Sequence, residues 1–282
     1  MRYPFADLHV HSCYSDGSMT PGEIVEAAAE HQVGALAIAD HDLVEGSLAA
    51  RAECARRGIR LIPAVEIDSL SGGKNYHILA YGFDTQDRSF AQFLAHVRFM
   101  LDESSVRLIE AMRADHACVS LEDYFDYAHD GTLGGWKALS YLVARGIIGS
   151  IEEGIQFYPR YGVTHERAGY PTISSIAFRI RRAGGYAVLA HPGIDIEETE
   201  PGAFEAELSR FIAMGLNGVE CYYPRHAEWI TRSCLRVCRD AGLLVTGGSD
   251  CHGSFGRARV GEMNVRGEDV SLRELLKSKW PL

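Results

Sequence analysis

Short apolar strands that alternate with amphipathic helices predict an α/β protein built from β/α units, and two observations carry the prediction. Seven hydrophobic runs of strand length are separated by helix-length stretches with start and stop signals. Nearly all of these runs end on, or lead at once into, His, Asp or Glu: His9-Val10-His11 with Asp16, Asp40-His41-Asp42, Glu66, His77, His191 and Asp250-Cys251-His252. In a parallel β/α barrel the functional groups gather where the C-terminal strand ends meet. The runs that predict the fold therefore also predict a site at one end of it.

The expected strands are Pro4 to His11, Ala35 to Asp40, Leu61 to Glu66, Tyr76 to Tyr81, Tyr186 to His191, Gly218 to Tyr222 and Leu244 to Ser249. Among the helices, Pro21 to Gln32 follows Thr20 with Glu23 at capping-box spacing, and Gly46 to Arg57 stops before Gly58. Thr172 to Ala183, Ala203 to Met214 and His226 to Ala241 each run into glycine soon after. The fourth and fifth strands are about a hundred residues apart, far beyond a normal connection. Apolar residues recur there at helical spacing, so residues 99–170 read as a helical insertion covering the site, with 1–98 and 171–282 forming the main domain.

Composition narrows the function. The chain has 282 residues, 46% hydrophobic and 23% charged, ordinary for a globular domain. A formal net charge of −10 argues against a partner such as long nucleic acid, which needs basic surface. No apolar run reaches the roughly 18 residues of a membrane span, and Met1-Arg2 leads directly into a strand, so a cytoplasmic location is expected. Seven cysteines without paired spacing give no disulfide framework, and Cys13 and Cys251 read as packing residues beside the site.

Side chains alternate along a strand, so His9 and His11 share one face. Two imidazoles with a carboxylate nearby can hold a divalent cation. The full set is His9, His11, Asp16, His41, Glu66, His77, His191, Asp250 and His252. Zinc takes about four ligands and manganese or magnesium about six, so nine groups imply two or three ions, with Glu66 placed to bridge. Imidazole and carboxylate without thiolate suit Mn²⁺, Fe²⁺ or Zn²⁺, and the donor types do not choose among them; Mn²⁺ is the first expectation. Paired metals acidify water, clamp phosphoryl oxygens and neutralise developing charge. That chemistry points to phosphoester cleavage first and to amide or lactone hydrolysis second. His77 stands apart because it opens its strand rather than closing it. His31, His96, His116, His129 and His165 read as surface or packing histidines, while Asp7, Asp42 and Asp68 are placed to orient imidazoles.

The segments Asp7-Leu8-His9-Val10-His11-Ser12 with Ser15-Asp16-Gly17, Asp40-His41-Asp42, His191-Pro192-Gly193 and Gly248-Ser249-Asp250-Cys251-His252-Gly253 resemble the motifs of the PHP (polymerase and histidinol phosphatase) superfamily. The resemblance implies a distorted (β/α)7 barrel, a trinuclear metal centre, and Glu66 and His77 among its ligands. Finer similarity, in Ala187 to Gly193, Gly218 to Tyr223 and Leu244 to Asp250, points to stand-alone phosphoesterases with a helical insertion. Members of that branch remove the 3′-phosphate of nucleoside 3′,5′-bisphosphates, and some trim short RNA from its 5′ end. Such relatives usually open an insertion helix with an Arg-Pro-His element, where this chain has Gly134-Gly135-Trp136-Lys137.

The expectation is thus a metal-dependent phosphatase acting on a small nucleotide such as adenosine 3′,5′-bisphosphate. Asp250 is the candidate proton acceptor and His226 the candidate acid for the leaving oxygen. Arg225, His226, Lys137, Trp136 and Lys74, with Arg257 behind them, are the candidate substrate contacts. The alternatives are a 5′–3′ exoribonuclease on short RNA, a histidinol-phosphate phosphatase, a proofreading exonuclease (disfavoured without a polymerase region) or a metal-stabilised binding module.

Overall fold

A computed structural model describes residues 3–254 and 256–277. β1 (Phe5–Val10) leads through α1 (Pro21–Glu30) to β2 (Val33–Ile38), and α2 (Glu45–Arg57) leads to β3 (Arg60–Leu61). A hairpin of β4 (Ala64–Ser71) and β5 (Lys74–Tyr81) follows. Then come α3 (Arg88–Met112), α4 (Leu121–Asp126), a 3₁₀ turn (Gly131–Leu133), α5 (Lys137–Ala144), α6 (Ile151–Ile155), α7 (Phe157–Arg160) and α8 (His165–Ala168). The chain closes with α9 (Ile173–Arg182), β6 (Tyr186–Leu189), α10 (Pro192–Asp195), α11 (Pro201–Ala213), β7 (Gly218–Tyr222), α12 (Glu228–Ala241), β8 (Leu244–Gly247) and α13 (Leu272–Leu275).

The strands form two sheets, β1-β2-β3 and β4-β5-β6-β7-β8. Isolated parallel bridges link them at Val10–Cys251 and at His41–Glu66. Three apolar layers hold the assembly. Leu36 and Ile38 pack under Ile24, Val25 and Ala28 of α1 and Ala50 and Cys54 of α2. The opposite set, Ala35 and Ala37 of β2 with Ala39 just beyond it, meets Ala64, Leu79, Tyr81, Val188 and Ala190. A third layer sets Val65, Ile67, Ile78 and Leu189 against Phe93 and Val97 of α3, Ile176 and Ile180 of α9 and Phe204 and Leu208 of α11. The predicted caps are present: Thr20 and Glu23 form the capping box of α1, and Gly58 and Gly242 end α2 and α12 in left-handed conformations.

The fold is mixed α/β, and it departs from uniform β/α units in one place. The strand expected at Leu61 to Glu66 is divided, because Pro63 has no N–H to give a ladder. Two residues before it form β3, and the chain after it becomes the longer β4. β4 then turns at Gly72-Gly73, both at positive φ, and pairs antiparallel with β5, which pairs antiparallel with β6. Glycine-glycine at such a turn is a hairpin signal in the sequence itself. The consequence reaches the site. A reversed strand brings its beginning, not its end, to the C-terminal side of its parallel neighbours, which removes the objection to His77.

The helix expected at the start of the insertion begins earlier. α3 runs 25 residues from Arg88 and crosses position 98 without a break. Its first half buries Phe90, Phe93, Leu94 and Val97 in the main core. Its second half gives Leu108, Ile109 and Met112 to a separate cluster with Tyr124, Ala138, Tyr141 and Ile148. One rigid helix therefore bridges the two cores. No helix among the described residues is long and apolar enough to cross a membrane.

Gly248, just beyond β8, lies against β1: a Cβ there would sit 2.4 Å from His9 Cβ and 2.5 Å from His9 N. Gly248→Ala should cost about 1–3 kcal/mol through forced displacement of β1. A lowered urea midpoint at unchanged slope is the expected reading, and an unchanged midpoint would show that β1 and the β8 end do not approach this closely.

Candidate metal centre

The centre is organised around Glu66. Its side chain projects from β4 on the face shared with Asp68, across the hairpin from Asn75 and His77. Glu66 Oε2 lies 3.2 Å from His9 Nε2, 3.1 Å from His11 Nε2 and 3.3 Å from His41 Nε2. Its Oε1 lies 3.0 Å from His77 Nδ1 and 3.2 Å from His191 Nε2. Five imidazole nitrogens from four segments thus converge on one buried carboxylate. Beside it, Asp250 Oδ1 is 3.2 Å from His11 Nε2, and Asp16 Oδ2 is 3.3 Å from His252 Nε2.

The chemistry of this donor set fits metal ions. His252 Nδ1 lies 2.9 Å from the Asp250 carbonyl oxygen, which can only accept, so Nδ1 carries the proton and Nε2 presents a lone pair to the site. Glu220 similarly takes the Nδ1 proton of His9 at 3.1 Å, and Asp195 that of His191 at 3.0 Å. Their Nε2 lone pairs then face a carboxylate oxygen, an arrangement that requires a cation between them. The buried Nδ1 atoms of His11 and His41 have no hydrogen-bond partner among the described residues. Among the described residues three overlapping groups have the spacing to hold an ion: His11, Asp16, His41 and His252; His9, His11, Glu66 and Asp250; and His41, Glu66 and His77. Eight of the nine expected ligands fall in them. His191 touches Glu66 but belongs to none of the three.

A second tier of buried acids fixes the first. Glu220, in the middle of β7, also accepts from the His191 backbone N–H at 2.8 Å. Asp40 accepts from Ser12 N and Oγ and from Ser15 Oγ, each at 2.7 Å, and so holds the loop that carries Asp16. Asp7 accepts from Ser249 N and Oγ and from Gly261 N, tying β1 to the loop after β8. Tyr223 donates to Asp250 Oδ2 at 3.0 Å and accepts from Arg225 Nη2 at 2.9 Å. Asp68 and Asn75 flank His77 Nε2 at 3.2 and 2.9 Å. The sequence reading gave no role to Glu220, Asp40, Asp195 or Tyr223. Glu220 has a visible signal, a lone acid between Val219 and Cys221 in an apolar strand, whereas Tyr223 has none.

The backbone is strained here. Among the described non-glycine residues at positive φ are Asp42 (57°), His191 (25°) and Asp250 (54°), each within the centre's own segments. Asp42, expected to orient an imidazole, is buried, and neither carboxylate oxygen has a hydrogen-bond partner among the described residues. Burial, with the nearby Asp68 charge, pushes its carboxyl well above the usual range.

Electrostatics follow the geometry. Burial alone would lower the His9 imidazole, but Glu66, Glu220 and Asp250 reverse that and hold it well above its ordinary value. For His191, burial is outweighed by the bonds to Asp195 and Glu66, and its pKa rises to about 9. Burial opposes ionisation of Glu66, but His9, His77 and His41 hold its carboxyl well below the usual range.

The centre opens into a cavity of about 1330 Å³. It is lined by Arg225, Tyr223, Asp195 and Arg257, and by Trp136, Leu139, Ile155, Tyr158 and His165 from the helical segment. Trp136 packs edge-on against His41, with ring centroids 5.5 Å apart. His165, read from sequence as a bystander, lines this cavity with Nε2 3.7 Å from Asp68.

Three candidate substrate contacts lie elsewhere. His226 donates from Nδ1 to the Cys221 carbonyl at 3.1 Å and accepts at Nε2 from Gly193 N at 3.1 Å. Both nitrogens are used in bracing the His191-Pro192-Gly193 turn, so His226 is a structural strut rather than an acid for a leaving group. Lys74 pairs at the surface with Glu197 at 2.5 Å and does not line the cavity. Lys137 donates to the Phe125 carbonyl at 3.2 Å and lies over the Tyr124 ring, outside the main cavity.

Similarity to known proteins agrees with the site. The PHP domain profile matches residues 7–161, and the chain belongs to the PHP domain family. A phosphoribosyl 1,2-cyclic phosphate 1,2-diphosphodiesterase of Eggerthella lenta is 27% identical over 257 residues, covering 89% of this chain and 95% of the relative. A 3′,5′-nucleoside bisphosphate phosphatase of Chromobacterium violaceum is 31% identical over 258 residues, covering 87% and 86%. A solved structure from Bifidobacterium adolescentis, classed with the metal-dependent phosphoesterases, superposes with a TM-score of 0.79 at 25% identity, covering 98% of this chain and 96% of that one. At this level the chain is a metal-dependent phosphoesterase of the PHP family.

Two expectations follow. Glu220→Gln keeps the shape but weakens the hold on the His9 Nδ1 proton, and should cost about 10–100-fold in divalent-metal affinity by titration. Affinity equal to wild type would remove Glu220 from the centre's support. In the metal-free protein His191 has its folded pKa raised to about 9. Its contribution to stability is therefore full below about 6.5 and lost as pH rises through about 9. With chelator the melting temperature should fall across that window, and Mn²⁺ should flatten the dependence by replacing the protons. A flat profile in chelator would contradict the assignment.

Proposed function

We propose that this chain hydrolyses the 3′-phosphate of nucleoside 3′,5′-bisphosphates, adenosine 3′,5′-bisphosphate among them, releasing inorganic phosphate. The convergence of five imidazole nitrogens on Glu66 at the floor of an open cavity carries the reading, and the 31% identical phosphatase of C. violaceum supports the substrate. Residues 1–98 and 171–282 form the metal-bearing domain in this reading, and 99–170 a helical insertion over its mouth. The ligands are His9, His11, Asp16, His41, Glu66, His77, His191, Asp250 and His252. The metal groups contain imidazole and carboxylate but no thiolate, which accommodates Mn²⁺, Fe²⁺ or Zn²⁺, and Mn²⁺ is the ion assigned in this reading. A cytoplasmic location goes with that reading.

When bound, two or three such ions acidify water and neutralise phosphoryl charge. The chain's own residues position and discriminate. Arg225, steadied by Tyr223, presents its remaining N–H groups to phosphoryl oxygens. Asp250, held ionised by His9 and its neighbours against the effect of burial, takes the proton of the attacking water. Trp136 and Tyr158 give the base and sugar an apolar wall.

With Mn²⁺ present, a nucleoside 3′,5′-bisphosphate should be turned over faster than the 3′-monophosphate, a ribosyl 1,2-cyclic phosphate or a short 5′-phosphorylated RNA. Faster turnover of the cyclic phosphate would move the assignment to the activity named for the E. lenta relative. Asp250→Asn should lose on the order of 10² or more in kcat while remaining folded. Turnover near wild type would take Asp250 out of the reaction.

A further inference from the structure

We propose that His165, carried by the helical segment, is a positioning residue for the metal ligands His77 and His41 and acts on both through Asp68. The inference rests on the ligand set proposed above, and its failure can be read apart from the failure of that set.

Asp68 is a second buried carboxylate on which imidazoles converge, two residues along β4 from Glu66 and 5% exposed. Its Oδ1 lies 3.2 Å from His77 Nε2, and its Oδ2 lies 3.7 Å from His41 Nδ1. His77 turns its other nitrogen, Nδ1, to Glu66 at 3.0 Å, and His41 turns Nε2 to Glu66 at 3.3 Å. One acid therefore stands behind both imidazoles of the group formed by His41, Glu66 and His77. An ionised carboxylate can only accept, so Asp68 favours a proton on the outer nitrogen of each ring and leaves the inner nitrogen to face a cation. His41 Nδ1 has no hydrogen-bond partner among the described residues, so a small turn of the Asp68 carboxylate decides whether that ring is held.

The direction of this carboxylate is set from two sides. From β5, Asn75 Nδ2 donates to Oδ1 at 2.7 Å. From α8, His165 Nε2 stands 3.7 Å from the same oxygen, an electrostatic contact rather than a direct hydrogen bond. Burial lowers the His165 imidazole against the raising effect of Asp68, and His77 lowers it further. His165 thus faces Asp68 as a neutral ring with its proton on Nε2.

His165 is itself held in place. Gly169, at a φ of 79°, ends α8 in a left-handed conformation and donates to the His165 carbonyl. The chain then runs onto β4, where Leu70 N donates to the Pro171 carbonyl at 2.8 Å. Tyr170 packs against the His165 ring with centroids 4.7 Å apart and is buried in the main core. This part of the helical segment is fastened to the strand that carries both Glu66 and Asp68. His165 and Asp68 also line the main cavity, so the link lies in the wall that a substrate meets.

Mn²⁺ titration of the metal-free protein, followed by the paramagnetic resonance signal of the free ion, reads this position without turnover. His165→Phe keeps a ring on Tyr170 but removes both nitrogens. It should weaken one Mn²⁺ equivalent about tenfold, the lower end of what support of a ligand is worth, and leave the others unchanged. His165→Gln, which restores an N–H, should recover most of the loss. In an Asp68→Ala background His165→Phe should cost nothing further, because the two residues act as one unit. A loss of the same size in that background would assign His165 a packing role and overturn the proposal. Wild-type affinity at every equivalent in a folded His165→Phe protein would also overturn it and leave the ligand set standing. A wild type that binds a single ion or none would overturn the ligand set and the inference with it. If His165→Phe does not fold, His165→Ala carries the same comparison.

Discussion

Everything at the open end of this fold depends on Glu66 remaining ionised inside a ring of imidazoles. A buried carboxylate with no cation is expensive, and so is a buried imidazolium. Placing five imidazole nitrogens within 3.3 Å of its two oxygens couples the two costs. Protons can balance the charge in the metal-free chain, but the tautomers imposed by Glu220, Asp195 and the Asp250 carbonyl put the proton of His9, His191 and His252 on the far nitrogen. The inward nitrogens are prepared as lone-pair donors. Protonation and metal binding are thus competing solutions to the same electrostatic problem.

That preparation demands rigidity, which the buried acids around the centre supply. Asp7 joins β1 to the loop after β8, Asp40 closes the loop bearing Asp16, and Glu220 grips both His9 and the backbone of His191. They also offset strain. Positive φ at Asp42, His191 and Asp250 costs of order 1–3 kcal/mol each. These residues keep that geometry because hydrogen bonds and close packing leave the chain no relaxed alternative. The close approach of Gly248 to His9 is one such constraint, and the use of both His226 nitrogens to brace the turn at His191 is another.

Much of this was legible in the residues and some was not, for physical reasons. Strand ends bearing His and Asp were readable because apolar runs and their terminating residues are local features, as were the caps at Thr20, Gly58 and Gly242. The β4–β5 reversal was only half visible: Gly72-Gly73 marks a hairpin, but its effect on which end of β5 faces the centre belongs to sheet topology. His77 looked misplaced for that reason alone. Lys137 and His226 are charged or titratable groups near the expected mouth in sequence, but sequence distance does not say which way a side chain turns. One backbone carbonyl and one amide turned His226 into a strut. Glu220 carried a readable signal, a charge inside an apolar strand, while Tyr223 became significant only through the two bonds its hydroxyl makes.

The balance of charge also governs the mouth. Asp16, Glu66, Asp68, Asp195 and Asp250 all line the main cavity, against Arg225 and Arg257. At the short range of these contacts, and with little solvent between the groups, like charges interact far more strongly than in bulk water. In the metal-free cavity the imidazoles whose pKa values these acids raise, His9 and His191 among them, carry protons that offset the acids. Two or three divalent ions would displace those protons and add four to six positive charges. The same acids that hold protons on the imidazoles of the metal-free site would hold the cations of the loaded one, so affinity for substrate is a property of the cations and carboxylates together.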